Sequence, residues 1–239
     1  MNGTLAGAQD LIKGVAAGIG DLPQRCDLLV CPPMIHMQVV KDFIRAAGLQ
    51  VAFGAQDCAS TANGAFTGDI SAEMLKDAGC AYVIVGHSER RQYHNETDSV
   101  IAAKAASAHA QGLTAIICVG EKESERTAGF EKEVVEGQLK ASIPASATAD
   151  NTVIAYEPVW AIGTGKTATT EDVREMHKFI RSQLKEKLAD SAKVRILYGG
   201  SVKPDNAQSL FSVDNVDGAL IGGASLKADK YLAIARAVP

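Results

Sequence analysis

Sulfur chemistry is scarce in this chain: five cysteines, an odd number, and no Cys-x-x-Cys pair among 239 residues. A disulfide framework uses even numbers, and structural zinc sites use closely spaced thiols. Cys26, Cys31, Cys58, Cys80 and Cys118 therefore read as small buried hydrophobes in a reduced, cytoplasmic protein. No apolar run is long enough to span a bilayer. The first residues carry no charged stretch followed by an apolar core, so neither a membrane partner nor a secretory leader is expected. The net charge is −4 and the lysines and arginines are scattered, which argues against nucleic acid as a partner. The glycine spacings of dinucleotide and nucleotide loops are absent, and no metal-ligand cluster stands out, so no cofactor and no metal are expected. No linker or low-complexity stretch divides residues 1–239, which read as a single domain.

What is present is alternation. Short runs rich in Val, Ile and Leu occur at Leu28–Cys31, Gln50–Ala55, Ala81–Gly86, Thr114–Val119, Thr152–Tyr156, Arg195–Tyr198 and Gly218–Ile221. They do not alternate with polar residues, as expected of strands buried on both faces. Amphipathic segments separate them: Leu5–Ile19, Met34–Ala47, Ser71–Asp77, Thr97–Gln111, Glu131–Ser142, Glu171–Leu188, Pro204–Leu210 and Ala228–Ala237. Thr97 before Asp98, and Thr170 before Glu171-Asp172, are helix-start signals. The order predicts an α/β fold of parallel strands with crossover helices, a (β/α)8-type barrel with seven strands and eight helices. The chain opens on a helix, so the eighth strand of a closed barrel has its natural place before residue 1.

The polar residues collect where strands end. Glu157 follows Val153-Ile154-Ala155-Tyr156, and Pro158, the only tryptophan Trp160, and Gly163 and Gly165 come next. A carboxylate on a strand end, a stiff hinge and a permissive tip describe a general base under a closing lid. The lid would run through Pro158, Val159, Trp160, Ala161, Ile162, Gly163, Thr164, Gly165 and Lys166, with Lys166 anchoring its far end. His87 ends the strand Ala81–Gly86 and starts a short helix, whose N-terminus favours a neutral ring that still donates a hydrogen bond. His36, His94, His109 and His177 lack such a context and read as surface or packing residues. Tyr198-Gly199-Gly200-Ser201 and Ile221-Gly222-Gly223-Ala224-Ser225 close the last two strands. Bare amides there suit a phosphate, and close helix–strand packing is the alternative reading.

Gly86-His87-Ser88-Glu89-Arg90-Arg91, Ala155–Lys166, Tyr198–Ser201 and Gly222-Gly223-Ala224-Ser225 together resemble the triosephosphate isomerase family, and the match runs from Asn2 to the C-terminus. The resemblance implies interconversion of dihydroxyacetone phosphate and glyceraldehyde 3-phosphate without a cofactor. It makes Glu157 the base that moves a proton between adjacent carbons. It makes His87 the group that polarises the carbonyl; base plus neutral histidine is this family's own known arrangement and comes with the resemblance. Amides of Gly163, Ser201, Gly222 and Gly223 would hold the phosphate. Asn63–Asp69 resembles the family's long third loop, so a homodimer through Ala59–Asp69 is expected; Ala65-Phe66 make that loop too apolar to stand bare.

The family begins with a strand ending in Asn-x-Lys-Met-Asn-Gly, and Met1-Asn2-Gly3 matches the last three of those positions. The asparagine, which by the resemblance helps position substrate, and the catalytic lysine, which by the resemblance pairs with Glu89, do not appear in this sequence. Losing one preorganised donor to a developing oxyanion costs about 10²–10³ in rate, so reduced turnover is expected. A non-catalytic phosphate-ligand-binding or assembly subunit of the same fold is the alternative.

Overall fold

The computed structural model describes residues 1–162 and 166–239, with Pro23 described by its main chain alone. Seven parallel strands pair in chain order. They are β1 (Leu29–Val30), β2 (Ala52–Ala55), β3 (Tyr82–Val85), β4 (Thr114–Val119), β5 (Thr152–Tyr156), β6 (Ile196–Tyr198) and β7 (Gly218–Ala219). The longest ladder joins β4 to β5, from Ala115 opposite Thr152 to Val119 opposite Tyr156.

Both faces of the sheet are buried, as the unbroken apolar runs imply. Along β4, Ala115, Ile117 and Val119 point into the main core under the helices. Ile116 and Cys118 point the other way, into a second cluster with Ile84, Val153 and Ala155. Leu29, Tyr82, Leu197 and Leu220 pack against this inner cluster. Side chains from β1, β3, β4, β5 and β6 meet on one face only if the sheet curls.

Ten α-helices lie among the described residues, two more than the eight expected. They are α1 (Leu5–Gly18), α2 (Met37–Ala46), α3 (Ala72–Asp77), α4 (Ser88–Tyr93), α5 (Asp98–Ala110), α6 (Glu123–Thr127), α7 (Glu131–Ser142), α8 (Thr170–Lys187), α9 (Ala207–Phe211) and α10 (Ala228–Arg236). The extra two are the single-turn helices α4 and α6, too short to show an apolar period; only the start of α4, at His87, had a sequence signal. Thr97 caps α5 by accepting from the Val100 N–H. The cap of α8 is Thr169, one residue earlier than expected, bonded reciprocally with Asp172. No helix among the described residues is long and apolar enough to cross a membrane.

β1 and β7 end the strand order and do not pair with each other. The helix layer nevertheless closes around them, because α1 packs on both α2 and α10. From α10, Tyr231 donates its hydroxyl to the Leu29 carbonyl of β1 at 3.2 Å.

Beneath the 56–69 segment lies a charge cluster. The Lys104 ammonium, 8% exposed, donates to both oxygens of Asp57 (2.7 and 2.8 Å) and to Glu96 (2.6 Å). Arg90 completes it, 2.9 Å from Asp57 and 2.6 Å from Glu96. Burial works against the charge on Glu96, but the bonds from Lys104 and Arg90 outweigh it and hold this carboxyl below its ordinary value. Removing one partner of a buried pair strands the others. Lys104→Met is therefore expected to cost about 3–5 kcal/mol, read as a lower urea midpoint with an unchanged slope. A loss within about 0.5 kcal/mol, the range of ordinary surface substitutions, would show that the cluster does not stabilise the fold.

Candidate active site

The residues singled out from sequence gather at the C-terminal ends of the strands. His87 follows β3, Glu157 follows β5, Ser201 follows β6, and Gly222 and Gly223 follow β7. Parallel pairing in sequential order puts all of these ends on one rim.

Glu157 is 1% exposed. Its Oε2 accepts from the Ser88 N–H at 2.9 Å, and its Oε1 from the Ser88 hydroxyl at 3.0 Å. His87 Nε2 lies 3.0 Å from the same Oε1. The other ring nitrogen, Nδ1, accepts from the Glu89 N–H at 3.3 Å. An accepting Nδ1 carries no proton, so Nε2 is the N–H that faces the carboxylate. The Glu89 carboxylate is largely in water, 3.9 Å from Nδ1.

Two glycines make room for Glu157, and sequence reading missed both roles. A Cβ on Gly120 would fall inside the main-chain carbonyl of Glu157. A Cβ on Gly199 would lie 2.9 Å from the Glu157 Cγ. The two Gly-Gly pairs thus differ. Gly199-Gly200 serve close packing, with Gly200 against the Tyr198 hydroxyl and Pro158, whereas Gly222 and Gly223 face open space. Ser88 was also missed as a partner of Glu157; its only sequence signal was its place beside His87. Cys118 lies fully buried under the site, its thiol pushed well up by burial and then by the nearby Glu157.

The first half of the expected lid is a 3-10 turn over Val159–Ala161, after a buried Pro158. It hangs on Glu121, which is 0% exposed. Glu121 Oε1 accepts from Trp160 Nε1 at 2.7 Å and from the Tyr156 hydroxyl at 3.1 Å. Arg126 lies 3.3 Å from the same oxygen and 4.7 Å over the Trp160 ring. Lys166 pairs with Glu123. Gly163, Thr164 and Gly165 lie outside the described residues. No group of His, Cys, Asp and Glu that could hold a metal occurs among the described residues.

A family model described as triosephosphate isomerase matches residues 1–238. Triosephosphate isomerase of Rhizobium meliloti (strain 1021) is 54% identical over 239 residues, covering 99% of this chain and 92% of its own. That of Bradyrhizobium diazoefficiens is 52% identical over 240 residues, covering 100% and 94%. The crystal structure of triosephosphate isomerase from Bartonella henselae superposes with a TM-score of 0.90 at 44% identity, covering 99% of this chain and 94% of that one. The curled seven-stranded sheet is thus the α/β barrel of that structure.

Burial raises the Glu121 carboxyl, and the bonds from its own main chain, Trp160, Tyr156 and Arg126 only partly offset it. The folded state therefore takes up this proton before the unfolded state does as pH falls. The group favours folding below its ordinary value, and that contribution is lost as pH rises through the raised value. Emission of Trp160 is expected to titrate with a midpoint above that of an ordinary glutamate. Glu121→Gln should abolish the step, and a step that survives the substitution would assign it to another group.

Proposed function

The chain belongs to the triosephosphate isomerase family, and we propose that Glu157 and His87 carry its interconversion of dihydroxyacetone phosphate and glyceraldehyde 3-phosphate. The reaction is an intramolecular aldose–ketose isomerisation. Glu157 removes a proton from the carbon beside the carbonyl, and the C–H electron pair becomes the double bond of an enediolate. The carbonyl oxygen takes the developing charge and meets the Nε2–H of His87, which then moves protons between the two oxygens. Glu157 returns its proton to the neighbouring carbon. The observation that supports this most is the 3.0 Å approach of His87 Nε2 to a carboxylate only 1% exposed, which brings both groups within reach of one small molecule.

Both Glu157 oxygens are engaged in this structure, so the base must leave Ser88 to reach carbon. A hydrogen bond to a charged group is worth about 1.5–3 kcal/mol, and substrate binding and lid closure have to supply that. We assign the phosphate to amides of Ser201, Gly222 and Gly223 together with Gly163, and the lid to Pro158–Lys166. Open space around Gly222 and Gly223 supports the assignment. Excluding water protects the enediolate from losing its phosphate. Glu89, whose carboxylate is largely in water beside the His87 ring, is assigned a supporting place in catalysis. We infer that residues 1–239 form one domain. We also infer a homodimer through Ala59–Asp69, where Phe66 is half exposed, and a cytoplasmic place, consistent with five free thiols.

Glu157→Gln is expected to lower turnover by at least about 10²–10⁴ in a coupled assay, and His87→Gln by about 10². Activity that survives Glu157→Gln would remove the base. No turnover together with binding of phosphoglycolate-like anions would favour the non-catalytic reading. Sedimentation at micromolar concentration should show dimers, and monomers alone would reject that assembly.

A further inference from the structure

Glu157 and the first hinge of the lid share one seat, made of Val119 at the end of β4 and the two residues that follow it. The Val119 carbonyl accepts from the Glu157 N–H at 2.8 Å, and the Glu121 carbonyl accepts from the Val159 N–H at 3.1 Å. Gly120 lies between them and turns its main-chain groups the other way. The register of β3 with β4 ends at Val85 opposite Ile117, so β3 does not receive them. Gly120 is buried, and buried main-chain groups without partners are costly.

Gln138 supplies both partners. Its Oε1 accepts from the Gly120 N–H at 2.7 Å, and its Nε2 donates to the Gly120 carbonyl at 3.0 Å. A primary amide is the side-chain group that offers an acceptor and a donor side by side. Gln138 sits on α7 between Val135 and Leu139, whose side chains are buried in the main core, so its amide is delivered from a fixed element. Gly120 in turn abuts the Glu157 carbonyl so closely that no side chain fits between them.

We propose that Gln138 is a positioning residue for the isomerisation: by holding both main-chain groups of Gly120, it fixes the seat on which the base and the first hinge of the lid rest. The assignment rests on Glu157 being the base. A shift of the seat moves the Glu157 main chain with it, and misplacing a reacting group by about 1 Å costs on the order of 10² in rate.

The test compares Gln138→Leu, which removes both bonds, with Gln138→Glu, which keeps the size but sets a carboxylate against the Gly120 carbonyl. Both are expected to lower kcat roughly 10- to 100-fold with KM within about threefold. Both should also shift the emission of Trp160, the chain's only tryptophan. Val135→Ala, on the same helix, should lose as much Tm and keep its kcat. Wild-type kcat and Trp160 emission in Gln138→Leu would overturn the proposal. So would an equal fall of kcat in Val135→Ala at matched Tm loss, which would make the effect one of stability. Glu157→Gln separates the two readings. If that variant isomerises normally, the base assignment fails, while the Trp160 shift still reports whether Gln138 holds the hinge.

Discussion

Three donors, the Ser88 N–H, the Ser88 hydroxyl and the His87 ring N–H, meet the Glu157 carboxylate where water hardly reaches. A buried carboxylate without such partners would cost several kcal/mol. Hydrogen bonds to an ionised acceptor are among the strong ones, and here they come from the tip of β3 and the head of α4. The rest of the site is arranged around that demand. Gly120 and Gly199 lack side chains where a Cβ would intrude, and Arg91 bonds the carbonyls of Gly86 and Cys118, tying the ends of β3 and β4 together.

A second buried acid holds the turn after Pro158. Glu121 gathers Trp160, Tyr156 and Arg126 on one oxygen, so the turn at Val159–Ala161 is tethered to the barrel and not merely attached to its neighbours in sequence. The Arg126 guanidinium also pairs with Asp172 in the first turn of α8. The hinge, β4 and α8 are therefore coupled through one charged side chain. Any motion of the Val159–Ala161 turn has to break or carry these bonds.

Much of this was legible in the chain. Thr114–Val119 and Thr152–Tyr156 read as strands with the bounds the structure gives them, because β-branched runs without polar alternation have few other uses. β1 and β7 shrink to two residues each, since pairing on one side only sustains less ladder. His87 and Glu157 were legible as strand-end residues. Ser88, Gly120, Glu121 and Gln138 were not: each acts through a partner at least 18 positions away, and a serine, a glycine, a glutamate or a glutamine alone has no distinctive signature. The meaning of the glycine pairs was likewise hidden, because Gly-Gly reads the same whether it faces a phosphate or a packed side chain.

The sequence by itself determined the alternation of strand and helix, the burial of both sheet faces and the acid and imidazole at strand ends, since periodicity and local chemistry carry that information. Tertiary structure alone decided which atoms meet. The 3.0 Å approach of His87 to Glu157, the amide of Gln138 on Gly120 and the hub at Glu121 depend on curling the sheet until distant strand ends share a rim. Such distances follow from packing of the whole chain and are written in no single segment of it.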